Sequence, residues 1–283
     1  MHIKFFLVIV IFLTNSLLSL SPLHAQSQTD FVDARAWALG QTSAITPGFT
    51  NPAFSTIEEK RYIAANYLNR FDLKELSTLS VMAQVPNKYL NGAIYFSHYG
   101  CTEYNEMKGA INVSKALSDG WTLGVRVNYL RLHYSEEYSD KGLLTADVGA
   151  IYKVPQVEGL TLAALLINPL QSSTQIGKET TSYSPNNQLT LPSSFIVGAA
   201  YELNEDLITQ AEVDKESEEG LSAKIGVEYH PFSVLYLRGG LISKPLSPTL
   251  GLGLSFSTFD FNLGFAHHSD LGLESACGLS FYF

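Results

Sequence analysis

Four consecutive residues, His267-His268-Ser269-Asp270, carry the side-chain types of a hydrolytic triad. A triad needs nucleophile, base and orienting acid in line, and neighbours on one short hairpin loop do not give that line without special geometry. A solvated loop is the better reading. His98, Cys101, Glu103 and Glu106 bring metal-ligand types together, but their spacing repeats no ligand pattern, so they read as a polar hairpin tip. The acidic runs 136–140 and 214–219 have the charge to hold divalent cations near lipopolysaccharide, and read more simply as solvated loops. No catalytic residue, metal site or cofactor is expected from these groups.

The elements that must position any functional group are short alternating strands. Phe259, Phe261, Leu263 and Phe265 alternate with Asp260, Asn262, Gly264 and Ala266, a strict two-residue period. Leu250, Leu252, Leu254 and Phe256 do the same, as do Trp121, Leu123, Val125, Val127 and Tyr129. Fourteen such runs are expected, near 60–69, 75–85, 89–98, 104–116, 121–134, 142–154, 160–167, 192–203, 206–214, 220–230, 233–242, 248–257, 259–267 and 272–283. A soluble sandwich gives the same alternation, so the period alone does not choose between sandwich and membrane barrel.

Other features choose. The 283 residues hold 46% hydrophobic and 16% charged side chains, which disfavours disorder. A net charge of −9 disfavours a general nucleic-acid binder. Beyond the first 25 residues no run is long and apolar enough for a membrane helix. At the N-terminus, Lys4, the apolar run 5–13 and Leu23-His24-Ala25 read as a secretory signal peptide over 1–25, with the mature chain starting near Gln26. Connections alternate between short turns, such as Asn204-Glu205 and Pro231-Phe232, and longer segments at 135–141, 168–191, 215–219 and 243–247. Short periplasmic turns and long outer loops belong to outer-membrane barrels.

With that topology, the inward faces carry Arg126, Lys224 and Arg238 together with Asp147, Glu202, Glu212, Glu228 and Asp260. Both signs inside a barrel call for pairing, because a charge is cheap only when hydrated or partnered. Residues 26–56 lack a strand pattern and precede the first strand, which makes them a plug candidate. Arg35 is their one basic residue. It is expected to reach an inner-wall carboxylate among Glu202, Glu212, Glu228 and Asp260, with Asn51-Pro52 turning the chain toward the first strand.

The final strand, with Leu279, Phe281 and Phe283 at alternate positions, resembles the C-terminal signal strand read by the outer-membrane insertion machinery. Asp33-Ala34-Arg35-Ala36-Trp37-Ala38-Leu39-Gly40, followed by Asn51-Pro52-Ala53, resembles the start of PorV/PorQ-type outer-membrane proteins. The stretch 191–216 and Leu237-Arg238-Gly239-Gly240 extend the likeness. Those proteins are similar in architecture to the long-chain fatty-acid transporter, a fourteen-stranded barrel with an N-terminal hatch. The resemblance implies an all-β transmembrane barrel over 57–283 with a plug over 26–56, in a bacterial outer membrane. It implies a non-enzymatic accessory or docking role in type IX protein secretion, with secretion-system proteins as partners beside lipid, lipopolysaccharide and the insertion machinery. The alternative it implies is a channel for small hydrophobic molecules. Such a channel needs a greasy pocket in the lumen, whereas the inward faces are expected to be polar.

Overall fold

In β5 (Trp121–Tyr134), Trp121, Leu123, Val125, Val127 and Tyr129 are exposed, while Thr122, Gly124, Arg126 and Asn128 between them are buried. A strand in a water-soluble sheet shows the reverse. Apolar residues outside and polar residues inside is the order required when lipid covers the outer face.

The computed structural model describes residues 31–56, 60–87, 89–118, 120–134, 140–175, 188–217 and 220–283. Strands β1 (Tyr62–Arg70), β2 (Leu73–Val85), β3 (Asn91–Gly100) and β4 (Tyr104–Ser118) precede β5. After it come β6 (Lys141–Lys153), β7 (Leu160–Ile167), the short β8 (Ser173–Gln175) and β9 (Gln188–Thr190), and β10 (Ser194–Asn204). The chain continues through β11 (Leu207–Glu216), β12 (Gly220–Phe232) and β13 (Leu235–Ser243), then β14 (Leu246–Ser255), β15 (Phe259–His268) and β16 (Gly272–Tyr282). All but β8 and β9 form one closed antiparallel barrel of fourteen strands, in which β16 returns to β1 with Tyr62 opposite Tyr282 and Arg70 opposite Glu274. Closure leaves no unpaired strand edge, which a sheet in lipid needs because no water is there to satisfy its backbone. Among the described residues no helix is long and apolar enough to cross a membrane.

Two expectations about loops need correction. On the long-loop side, β1–β2 and β13–β14 are joined by only Phe71-Asp72 and Lys244-Pro245. Phe71 and Asp72 both have positive φ, 57° and 59°, the primed-turn conformation whose twist suits a two-residue hairpin. The 168–191 segment, read as strandless, contains β8 and β9, which pair with each other apart from the barrel. Strands of three residues are too short to show a period. The expected signal peptide, 1–25, lies outside the described residues.

Before β1, the chain forms one turn of helix, α1 (Ala34–Ala38), and a 3-10 turn at Pro52–Thr56. Asp33 caps α1, its Oδ1 accepting the N–H groups of Arg35 at 2.8 Å and Ala36 at 3.2 Å. Its Oδ2 accepts the Phe49 N–H at 3.4 Å, so one carboxylate ties the start of the segment to its middle. The buried apolar core lies between this segment and the wall: Phe31 and Phe49 against Tyr95 and Met82, Ile45 and Phe54 against Ile151 and Ala163, and Val32 against Leu68 and Ala276.

Candidate functional site: the barrel interior

Wall carboxylates hold segment 31–56 at separate places. Glu228 on β12 receives Arg35, with Nε at 3.0 Å from Oε2 and Nη2 at 2.7 Å from Oε1. The same Oε2 receives Arg238 Nε of β13 at 2.5 Å, so Glu228 sits between two guanidinium groups. Arg238 also donates through Nη1 to Asn262 Oδ1 at 2.7 Å. On β11, Glu212 accepts the backbone N–H groups of Ser43 at 3.3 Å and Ala44 at 2.8 Å, with Lys224 Nζ 3.7 Å away. Lys224 divides its charge with Asp214, at 3.4 Å. Arg126 on β5 and Asp147 on β6 are register partners and form a fully buried pair at 2.9 Å. The remaining Arg126 nitrogen, Nη1, donates to the Phe49 carbonyl at 2.6 Å.

Uncharged inward residues complete the hold. Thr249 accepts the Gly40 N–H and donates to the Ala38 carbonyl, both at 2.9 Å, while Asn66 and Ser80 accept the N–H groups of Ala34 and Val32 at 3.0 Å. Asn112 donates to the Pro52 carbonyl at 3.1 Å. Within the segment, Asn51 is fully buried, donating to the Ala44 carbonyl at 2.8 Å and accepting the Ala53 N–H at 3.0 Å. Close approach explains some wall glycines: a Cβ on Gly226 would stand 2.6 Å from the Leu39 carbonyl oxygen, and one on Gly240 2.7 Å from the Gly40 Cα.

Sequence reasoning named the charged anchors and missed Asn66, Ser80, Asn112 and Thr249. Their signal was available, since each is a polar residue at an inward position of its strand.

One named residue does not join the interior. Glu202 has the inward parity of Ile196 and Gly198, but it lies at the rim, where β10 ends and its pairing with β11 shifts, and it is exposed. Asp260 faces inward and is partly buried, accepting the Ser255 and Tyr282 hydroxyls, each at 2.6 Å. Leu279, Phe281 and Phe283 are exposed on the outer face, and the Phe283 N–H donates to the Arg61 carbonyl at 2.9 Å.

The expectation of a uniformly polar inner face also needs correction. In the long-loop half of β5 and β6 the inward residues Leu130, Leu132 and Leu143 are buried together, with Tyr134 and Leu191 packed on them. Tyr99, Tyr104 and Tyr134 extend this patch across β3, β4 and β5, with ring centroids 6.4 and 5.2 Å apart. Their parity follows from Arg126: two and three steps further along the inward face of β5 come Leu130 and Leu132.

The triad-type residues do not assemble. Ser269 donates to Asp270 at 3.2 Å, and His268 Nδ1 accepts the backbone N–H groups of Asp270 and Leu271 at 3.2 Å. Glu106 is buried on the inward face of β4, and His98 lies at an outward position of β3, so the wall separates them. Among the described residues no group of three or more His, Cys, Asp or Glu is placed to hold a metal ion. At the outer rim, Asp140 accepts from His133 Nδ1 at 2.7 Å and pairs with Arg131, and these bonds hold its carboxyl below the usual aspartate range.

Fold and interior together define a closed antiparallel fourteen-strand barrel with a chain segment bound to its inner wall. Comparison with solved structures agrees on the fold. The Pseudomonas putida toluene transporter TodX superposes with a TM-score of 0.60 at 12% identity, covering 92% of this chain and 97% of that one. The Ralstonia pickettii toluene transporter TbuX gives 0.62 at 13%, covering 89% and 98%. A Pseudomonas aeruginosa FadL homologue gives 0.60 at 10%, covering 91% and 98%. No protein-family model and no curated protein sequence matches the chain.

Proposed function

We propose that this protein is a non-enzymatic outer-membrane channel for small hydrophobic molecules, with residues 31–56 as the plug of its lumen. The observation that carries the proposal is the inward patch of Leu130, Leu132, Leu143 and Leu191 with Tyr134, at the long-loop end of the barrel. Apolar side chains facing a lumen offer nothing to an ion or a sugar, and lower the free energy of an apolar solute by about 25 cal/mol for each Å² it buries. The transporter architecture shared with TodX, TbuX and the FadL homologue supports the same reading. The accessory role in type IX secretion rests on the sequence likeness alone, at the N-terminal motif, at 191–216 and at Leu237-Arg238-Gly239-Gly240.

Arg35, Glu212, Glu228, Arg126, Lys224 and Arg238, with Asn51-Pro52, are assigned to seating the plug. Leu279, Phe281 and Phe283 are assigned to recognition by the insertion machinery. The test is uptake of radiolabelled toluene from dilute solution by cells with an intact lipopolysaccharide leaflet. Uptake should exceed that of cells lacking the protein, and Leu132→Asn should lower it several-fold at equal barrel abundance. Uptake equal to the control would refute the channel.

A further inference from the structure

Asp147 on β6 is fully buried and holds more than its register partner Arg126. Its Oδ2 accepts Arg126 Nε at 3.0 Å, Arg126 Nη2 at 2.9 Å and Asn128 Nδ2 at 3.0 Å. Its Oδ1 accepts the Asn168 backbone N–H at 3.2 Å, a donor that Asp147 shares with the Ala146 carbonyl at 3.1 Å. Asn168 is the residue at which the chain leaves β7 for the long segment that returns to β10. We propose that Asp147 couples the base of that segment to the seating of residues 31–56, so that loosening either one loosens the other. The proposal rests on the plug reading above and adds a control that reaches the plug from the long-loop end of the barrel.

One side chain knots the base. Asn168 Nδ2 donates to the carbonyls of Leu191 at 2.9 Å and Pro192 at 3.2 Å, while its Oδ1 accepts the Ser172 N–H at 3.2 Å. The outgoing and returning chain are thus joined at a residue that is itself buried. Its φ of 45° is left-handed, a conformation that asparagine takes more readily than most side chains. Leu191, held by this knot, packs on the inward leucines of β5 and β6.

Arg126 carries the connection to the plug. With Nε and Nη2 taken by Asp147, its Nη1 is aimed at the Phe49 carbonyl, 2.6 Å away, and its guanidinium carbon lies 4.8 Å from the centre of the Phe31 ring. Arg126 therefore grips the plug at two points, in a direction that Asp147 sets. From Leu191 through Asn168, Asp147 and Arg126 to Phe49, each bond orients the next, among buried groups whose hydrogen bonds reinforce one another. Coupling also needs an element with two states, and here it is the plug, seated or not. The sign follows from the geometry. When the base opens, Asp147 loses an N–H that holds it, Arg126 is less firmly aimed, and the seated state weakens. Linkage requires the reverse effect by the same factor, so an unseated plug loosens the base.

The test is hydrogen exchange on the full barrel in lipid nanodiscs. Plug seating is read at the Ala34 and Gly40 N–H groups, whose acceptors, Asn66 on β1 and Thr249 on β14, are on strands that do not adjoin β6. Asn168→Gly removes the knot without straining the backbone, since glycine accepts a positive φ. It should speed exchange at both groups about fivefold, the lower end of typical couplings, and leave the β12–β13 ladder unchanged. Ser172→Ala removes a different bond of the same base, from Ser172 Oγ to the Leu144 carbonyl at 2.7 Å, and should not move the plug. Gly240→Ala, which crowds the plug at β13, should speed exchange at Asn168 and Leu191 in return. Plug exchange at the wild-type rate in Asn168→Gly would overturn the proposal. An equal response to Ser172→Ala would also overturn it, by taking the route away from Asn168 and Asp147. Arabinose entry into proteoliposomes separates the two readings. Fast plug exchange in Gly240→Ala without faster entry sinks the plug and not the coupling, whereas faster entry in Gly240→Ala with Asn168→Gly like wild type sinks only the coupling.

Discussion

Glu228→Gln tests whether segment 31–56, the proposed plug, is held by charge. The carboxylate lies between Arg35 of that segment and Arg238 of the wall, and its side chain is 3% exposed. Removing one member of a buried ion pair costs about 3–5 kcal/mol, most of it from the charge left behind. The two arginines left behind differ. Arg238 is 4% exposed but keeps Asn262 Oδ1 at 2.7 Å, and Arg35 is 31% exposed and can regain water by leaving the wall. A loss near the lower bound, about 3 kcal/mol, is expected, and it should fall on the plug. The sequence supplies its own reporters, since Trp37 in α1 and Trp121 on β5 are its 2 tryptophans. Single-tryptophan versions, made with Trp121→Phe or Trp37→Phe, would be unfolded with urea in lipid vesicles. With a slope of about 2 kcal/mol per molar, the Trp37 midpoint should fall by about 1.5 M while the Trp121 midpoint moves much less. Equal shifts would mean that Glu228 braces the wall. No shift at either position would refute the argument that its charge is needed.

Gly240→Ala should displace the plug and lower the Trp37 midpoint, whereas Gly239→Ala, whose new Cβ meets nothing closer than 3.7 Å, should leave it in place. Phe283→Ala removes an exposed terminal ring, worth about 2–3 kcal/mol if lipid buries it, and should reduce barrel abundance and raise periplasmic degradation on immunoblots; normal heat-modifiable migration would count against it. At the outer rim, the depressed carboxyl of Asp140 means that its pairing with Arg131 and His133 is in place above the ordinary aspartate value of about 3.9 and is lost as pH falls through the lower folded value. Hydrogen exchange at the ends of β5 and β6 should therefore quicken only on strong acidification, and Asp140→Asn should remove that dependence. Protease added to intact cells should cut within 168–191 and spare Asn204-Glu205; cutting only after the outer membrane is opened would invert the topology.

The wall was legible because lipid outside and polar lumen inside impose opposite chemistry on successive residues. Trp121 to Tyr129 shows this without ambiguity, and so does Phe259 to Ala266. The same parity places Arg126, Glu212, Glu228 and Arg238 inside, and the requirement that a buried charge be paired pointed from Arg35 to the wall. Which carboxylate it would meet was not legible, because register and shear decide which inward residues share a height. Glu202 shows the limit, since parity turned it inward while its place at the strand end left it exposed. The leucine patch escaped notice for a different reason. Leu130 and Leu132 flank the exposed Arg131, so near the rim the order of polar and apolar faces reverses, as the outward side meets headgroups rather than acyl chains.

The glycines of the inner wall set the height at which segment 31–56 lies against it. Gly124 receives the backbone at Pro52-Ala53, Gly226 receives Leu39, and Gly240 receives Gly40. Along each strand the neighbouring inward positions carry bulky side chains: Thr122 and Arg126, Lys224 and Glu228, Arg238 and Ile242. The next inward position is about 7 Å further along the strand, so a slide of that length would drive the Pro52 carbonyl into Arg126 and the Leu39 carbonyl into Lys224 or Glu228. A slide along the wall is therefore opposed at all three of these contacts. Wall contacts of this kind favour one seated height for segment 31–56, and conductance through single barrels is expected to switch between discrete levels if the segment leaves it.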